Sequence, residues 1–171
     1  NGCVVSQSFE ITEPSVPLSL DFVNNDNTCF GSCQGDIDIT VNGGTPPYNY
    51  SWSNGSNDED ITDLCTGTYI LSVTDDNGCE ISGNYEITEP EEIIIIGELS
   101  DYNGYPVSCY LATDGTINIT VTGGTGNYTY SWSNGATSED LSEIGSGTYS
   151  VVATDENGCS VSIEVEITEP E

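Results

Sequence analysis

The chain has 171 residues and a one-sided charge: 29 Asp plus Glu, no Lys, no Arg and no His, for a formal net charge of −29. Nothing in it can neutralise a phosphate, so nucleic acid and anionic membrane surfaces are repelled. Without His or Lys the usual bases for a Ser or Cys nucleophile are missing, and the longest apolar run, Ile93 to Ile96, is far shorter than the ~18 residues of a membrane span.

Self-similarity organises the rest. NGCVVSQSFEITEP at 1–14 returns as NGCEISGNYEITEP at 77–90 and as NGCSVSIEVEITEP at 157–170. Between these copies lie GDIDITVNGGTPPYNYSWSNG (35–55) and GTINITVTGGTGNYTYSWSNG (115–135). Such a period marks a tandem array. Residues 15–90 read as one complete repeat, 91–171 as a second, and 1–14 as the C-terminal strand of a preceding one.

Taken in chain order, the first repeat is a series of short strands of period two. Leu18, Leu20 and Phe22 supply the first. Ile37, Ile39 and Val41 alternate with Asp38, Thr40 and Asn42, and Gly43-Gly44 makes a turn. Tyr48, Tyr50 and Trp52 then alternate with Asn49, Ser51 and Ser53 before an Asn54-Gly55 turn, and Ile61 and Leu64 mark a short strand. Tyr69, Leu71 and Val73 form the next apolar face, Asn77-Gly78 closes a hairpin, and Ile81, Tyr85 and Ile87 form the last. Each strand keeps one wet face. Six or seven antiparallel strands in so few residues predict an all-β chain of tandem immunoglobulin-like antiparallel β-sandwiches. Its core should hold Trp52 and Tyr50 in the first repeat and Trp132 and Tyr130 in the second, since a buried Trp anchors such sandwiches.

Seven dispersed cysteines with no His argue for disulfides over zinc, and so for an oxidising, extracellular setting. The two repeats control each other. Cys33 and Cys65 align with Thr113 and Gly145, so they are absent together and should pair together. Cys29 and Cys79 align with Cys109 and Cys159, which suggests Cys29 with Cys79 and Cys109 with Cys159 inside their repeats. The rival is a bridge between repeats, Cys29 to Cys159; the span from Cys29 to Gly35 leaves both open. Cys3 would find its partner upstream.

Among the acids, Asp58, Asp60 and Asp63, then Asp75 and Asp76, and in the second repeat Asp140 and Glu143, then Asp155, are candidate Ca²⁺ ligands, because calcium takes hard oxygens in irregular geometry. They match no EF-hand loop. The competing reading makes them solvated turn residues, with Asp75 and Asp155 as Asx-turn acceptors. Paired carboxylates could serve a glycosidase, but they need a cleft that such small domains scarcely provide. The chain therefore reads as no enzyme.

The ordered motifs GDI-x-ITV-x-GGTPPYNYSWSNG, L-x-TGTYILSVTDDNGC and a last strand ending EITEP resemble the SprB-type repeat of large Bacteroidota cell-surface adhesins. The second repeat departs from the pattern with GGTGNY where GGTPPY is expected. The resemblance implies an extracellular, cell-surface array delivered by type IX secretion and acting as an adhesin or filament, sometimes in gliding motility. Its partners would be neighbouring repeats of the same chain or other copies, and polysaccharide surfaces. A glycan-binding module that uses aromatic and acidic surface residues is the alternative.

Overall fold

The computed structural model describes residues 3–9 and 16–171, and every regular element among them is a strand. Residues 3–9 are exposed and form no strand; the rest of the expected 1–14 tail lies outside the described residues. The first repeat contains β1 (Ser19–Asn25), β2 (Gly35–Asn42), β3 (Asn49–Trp52), β4 (Ile61–Leu64), β5 (Gly67–Thr74) and β6 (Glu80–Ile87). The second contains β7 (Ile94–Leu99), β8 (Gly115–Thr122), β9 (Thr129–Trp132), β10 (Leu141–Ile144), β11 (Gly147–Thr154) and β12 (Ser160–Ile167).

Two compact units result: Asn1–Asn25 with Gly35–Ile87, and Asp26–Gln34 with Thr88–Glu171. They differ from the sequence repeats in one respect. The loop between β1 and β2, residues 26–34, belongs to the second unit although both its strands belong to the first.

In the first unit three-stranded sheets run β1-β2-β4 and β3-β5-β6, and in the second β7-β8-β10 and β9-β11-β12, with every pairing antiparallel. Lettered in chain order, with the fourth strand as E, these are A-B-E facing C-F-G, an immunoglobulin-like arrangement without strand D. Period two puts the apolar residues inside. Ile37, Ile39, Trp52, Ile61, Leu64, Leu71, Val73, Tyr85 and Ile87 form one core; Ile117, Ile119, Trp132, Leu141, Ile144, Val151, Ala153 and Ile167 lie in the other. Both tryptophans stand on the third strand of their sandwich, 4% and 3% exposed. Tyr50 and Tyr130 point the same way but are only half-buried at the margin of the core.

A tyrosine near the start of the fifth strand locks each sandwich further. The Tyr69 hydroxyl donates to the Cys65 carbonyl at 2.9 Å, and the Tyr149 hydroxyl to the Gly145 carbonyl at 3.1 Å. This is the corner by which immunoglobulin-like domains tie strand F to the turn before it.

The units fill one region of core differently. In the first, Phe22 stacks edge-on against Tyr85 with ring centroids 4.8 Å apart, and Tyr85 lies over Gly83, where a Cβ would strike its ring. In the second, Gly97 faces Ile163 and Val165, at 3.6 and 3.7 Å from where its own Cβ would be. Where the first repeat has Phe22, Gly83 and Tyr85 the second has Gly97, Ile163 and Val165, so the glycine stands on opposite sheets in the two units. Phe22 is 54% exposed and lies over Tyr85.

Trp52→Ala should cost the first sandwich about 3–5 kcal/mol, and Phe22→Ala no more than about half of that given its exposure. Urea unfolding followed by circular dichroism measures both; equal losses would show that the two aromatics share the core alike.

Candidate functional site

The repeated YSWSNG motif is the first place to look for a binding surface. Its tryptophans are buried, and their indole N–H groups donate to main-chain carbonyls, Trp52 to Asp58 and Trp132 to Ser138, each at 2.9 Å. Burial pushes the Tyr50 hydroxyl pKa up, and the Glu59 carboxylate hydrogen-bonded to it pushes further; Tyr130 behaves alike beside Glu139. The motif thus builds core and leaves Asn49, Ser51 and Ser53 outside.

Of the acids considered for calcium, Asp60, Asp75, Asp140 and Asp155 are engaged by backbone N–H groups. Among the described residues no three of His, Cys, Asp and Glu come together in a group able to hold a metal ion. The Asp60 carboxylate accepts from the Ile39 N–H at 2.8 Å and that of Asp140 from the Ile119 N–H at 2.9 Å, across the irregular pairing of β4 with β2 and β10 with β8. Asp63 and Glu143 occupy left-handed backbone, φ 56° and 57°, within β4 and β10. Asp58 accepts from the Ser56 hydroxyl at 3.1 Å, and Asp76 is exposed on its hairpin, its N–H given to Thr45 O.

Asp75 and Asp155 are the most engaged. One Asp75 oxygen accepts from the N–H groups of Asn77 and Cys79, at 3.0 and 2.8 Å, and the other from Thr45 N–H at 2.9 Å. Asp155 repeats this with Asn157, Cys159 and Thr125 at 3.0, 2.9 and 2.9 Å. Each carboxylate therefore ties the β5-β6 or β11-β12 hairpin to the double-glycine turn after the second strand. The glycines are required there: Gly44 and Gly124 have φ of 62° and 64°, and a Cβ on either would approach that carboxylate to 3.0 and 2.8 Å. Beyond this shared frame the turns diverge. Pro46-Pro47 is cis in the first, whereas the second places Gly126 at φ 75° against the Glu156 side chain, whose carboxylate takes the Asn127 side-chain N–H at 2.8 Å.

The N–H of Cys79 and its neighbours hold the Asp75 carboxyl below its ordinary 3.8. At Asp155 burial pushes upward, but N–H groups from Thr125, Cys159, Asn157 and Gly158 outweigh it and leave the pKa low. Asp114 is lowered by the hydroxyl and N–H of Ser108.

Cysteines mark the remaining site, which lies wholly within the second unit. Cys29 of the 26–34 loop is bonded to Cys159 at the foot of the Asp155 hairpin, with Cα atoms 5.6 Å apart. Around it the Asn157 amide donates to Thr28 O at 3.2 Å, Gly31 N–H to the Glu89 carboxylate at 2.7 Å, and Asn27 N–H to Thr88 O at 2.9 Å. Phe30, Pro90, Ile93 and Val161 line a shallow cavity beside the bridge.

This overturns the expected pairs Cys29 with Cys79 and Cys109 with Cys159; Cys79 and Cys109 are exposed thiols. The strand order explains why. The chain leaves the first sandwich for the Cys29 loop at the end where Asn25, Gly35, Leu64 and Ile87 meet, whereas Cys79 sits at the opposite end, beyond Thr74 and Glu80. Eight strand residues, roughly 26 Å, lie between these ends,. Cys33 and Cys65 are also in disulfide form.

A model of the SprB repeat matches residues 22–57 and 105–137. One match falls in each of the two sequence repeats. The SprB repeat belongs to surface adhesins; the first matched stretch begins in β1 and the second in the loop after β7, and each runs through the tryptophan strand. No curated protein matches the chain in sequence. Among solved structures it is similar to a C-terminal 282-residue fragment of intimin in complex with the intimin-binding domain of the translocated intimin receptor, at TM-score 0.44 and 16% identity, covering 89% of this chain and 64% of that one. It is also similar to the N-terminal eight immunoglobulin domains of Down syndrome cell adhesion molecule, at 0.43 and 12%, covering 90% and 25%. The chain thus spans less than two thirds of either structure. Among its described residues no helix is long and apolar enough to cross a membrane.

Because the carboxyl pKa values of Asp75, Asp114 and Asp155 are lowered by folding, the stability they add is complete above 3.8 and is lost as pH falls through their folded values. Thermal melts from pH 5 to pH 2 should therefore show a falling melting temperature at the acid end. The variant with Asp75→Asn and Asp155→Asn should melt lower at pH 7 and fall less steeply in acid; an unchanged acid slope would contradict this assignment.

Proposed function

We propose that this chain is a structural and adhesive segment of a long extracellular surface adhesin or filament, built from disulfide-stapled SprB repeats in series. The observation that carries the proposal is the Cys29–Cys159 bridge, by which a loop strung between strands of one sandwich is fastened to a hairpin of the next repeat. Such a bridge serves load more than chemistry. Asp60, Asp75, Asp140 and Asp155 cap backbone, the aromatic motif fills core, and among the described residues no His, Lys or Arg stands beside a nucleophile. Having neither Lys nor Arg, the chain offers trypsin-like proteases no cleavage site, which suits an exposed surface. Placement on the cell surface, type IX delivery and a part in gliding belong to the proposal through the resemblance to the SprB-type repeat alone.

Calcium enters as a counter-ion. Self-repulsion among 29 acids opposes compaction, and a saline medium or millimolar Ca²⁺ screens it without an ordered ligand set. The glycan-binding alternative finds its best support in Tyr102 and Tyr105 on the loop after β7, 39% and 40% exposed, and no longer in the tryptophan motif.

Force spectroscopy tests the load-bearing reading. Pulled by its ends, the oxidised chain should keep the 130-residue interval between Cys29 and Cys159 out of the unfolded length. Reduction should then release roughly 430–470 Å more, at ~3.3–3.6 Å per residue. Equal contour lengths before and after reduction would contradict it.

A further inference from the structure

The two exposed thiols, Cys79 and Cys109, are not equivalent to each other; each copies one half of the Cys29–Cys159 joint. Cys109 stands where Cys29 stands. Ala112 N–H donates to Cys109 O at 3.0 Å as Ser32 N–H does to Cys29 O at 3.1 Å. Leu111 N–H donates to the Glu169 carboxylate at 2.7 Å as Gly31 N–H does to that of Glu89 at 2.7 Å, and Leu111 and Gly31 share left-handed backbone at φ 59° and 69°. A leucine held in that conformation is costly for an L-residue, and the Glu169 bond keeps it there. Its side chain is 71% exposed and that of neighbouring Tyr110 is 65% exposed, so an apolar pair flanks the thiol.

Cys79 stands where Cys159 stands. Its hairpin, DDNGC at 75–79, matches DENGC at 155–159, and its aspartate collects the same three N–H groups at distances within 0.1 Å of the other set. The amide of the asparagine is placed differently. Asn157 reaches out to Thr28 O at 3.2 Å, whereas Asn77 turns back to the Thr45 hydroxyl at 2.8 Å.

We propose that the Cys109 turn is a socket for the Asp-x-Asn-Gly-Cys hairpin of another repeat, that the Cys79 hairpin is the matching plug, and that copies of this chain join head to tail through a Cys109–Cys79 disulfide. In the joint Asn77 releases Thr45 and donates to Ser108 O, the counterpart of Thr28 O. Plug and socket are different surfaces, so the contact is heterologous and extends openly instead of closing on itself. Thiol–disulfide exchange makes the bond. A Cys79 or Cys109 thiolate attacks a small disulfide such as glutathione disulfide, one glutathione thiolate leaves, and the second protein thiolate displaces the other. Two thiols are oxidised, one disulfide is reduced to two glutathione thiols, and two protons pass between them. The inference rests on the serial reading above in taking its occupant to be another repeat.

The test uses the whole 171-residue chain carrying Cys3→Ser, incubated with glutathione disulfide and resolved on non-reducing gels. A ladder that lengthens with protein concentration is expected, and digestion at Glu should release Cys109–Cys79 peptides. Cys79→Ser or Cys109→Ser alone should abolish the ladder, and a mixture of the two variants should give a single dimer and nothing longer. Glutathionylated monomers only, like-with-like dimers in the single variants, or a Cys79–Cys109 bond within one chain would each overturn the proposal. A chain that passes the contour-length test yet gives only such monomers would refute the socket while leaving the serial reading intact.

Discussion

A protein with 29 carboxylates and no cationic side chain has only N–H and O–H groups with which to hold its acids. No salt bridge to a Lys, Arg or His can form, so order in the acidic turns must come from hydrogen bonds to ionised oxygens, which are stronger than those between neutral groups. The structure applies this repeatedly. Asp75 and Asp155 gather the hairpins, Asp60 and Asp140 cover the irregular pairing of the short strands, and Glu89 and Glu169 fix the cysteine turns. Residues that would be charge in excess elsewhere are here the fasteners of the loops.

This constraint links fold to function. A sandwich of six strands leaves its connections at two ends, and those ends carry the carboxylate-fixed turns. One end presents a cysteine turn and the other a cysteine hairpin, so a repeat offers complementary groups at its two ends without any change to its core. The Phe22 and Gly97 exchange shows how far the core can drift while its frame is kept. Bonds at the ends allow no such drift: the hairpin frame around Asp75 is reproduced around Asp155 almost atom for atom.

Much of the fold is legible in the chain because burial in a thin sandwich enforces period two. Ile37, Ile39, Trp52, Leu71, Val73 and Ile87 are inside as their spacing requires, with Asp38, Thr40 and Ser51 outside. The corner tyrosines escape that reading, although the Gly-Thr-Tyr shared by 67–69 and 147–149 is their signal. The disulfides escape for a deeper reason. Alignment of repeats assigns Cys29 and Cys109 to one class and Cys79 and Cys159 to another, but pairing within a repeat and pairing with the next use the same two classes. Only the ends at which the strands deliver these residues separate the two. For the acids the chain leaves both readings standing, Asx-turn acceptor and calcium ligand: a carboxylate that accepts three N–H groups has the same composition as one that awaits an ion.

The central claim is that the cysteine turn of one repeat holds the hairpin of another. Peptide mapping of the native protein under non-reducing, alkylated conditions tests it most directly, with a protease that cuts at Glu, since trypsin has no site in the chain. The account predicts a linked peptide pair containing Cys29 and Cys159, with Cys79 and Cys109 bonded to neither of them. Recovery of Cys29 with Cys79 and of Cys109 with Cys159 would contradict it.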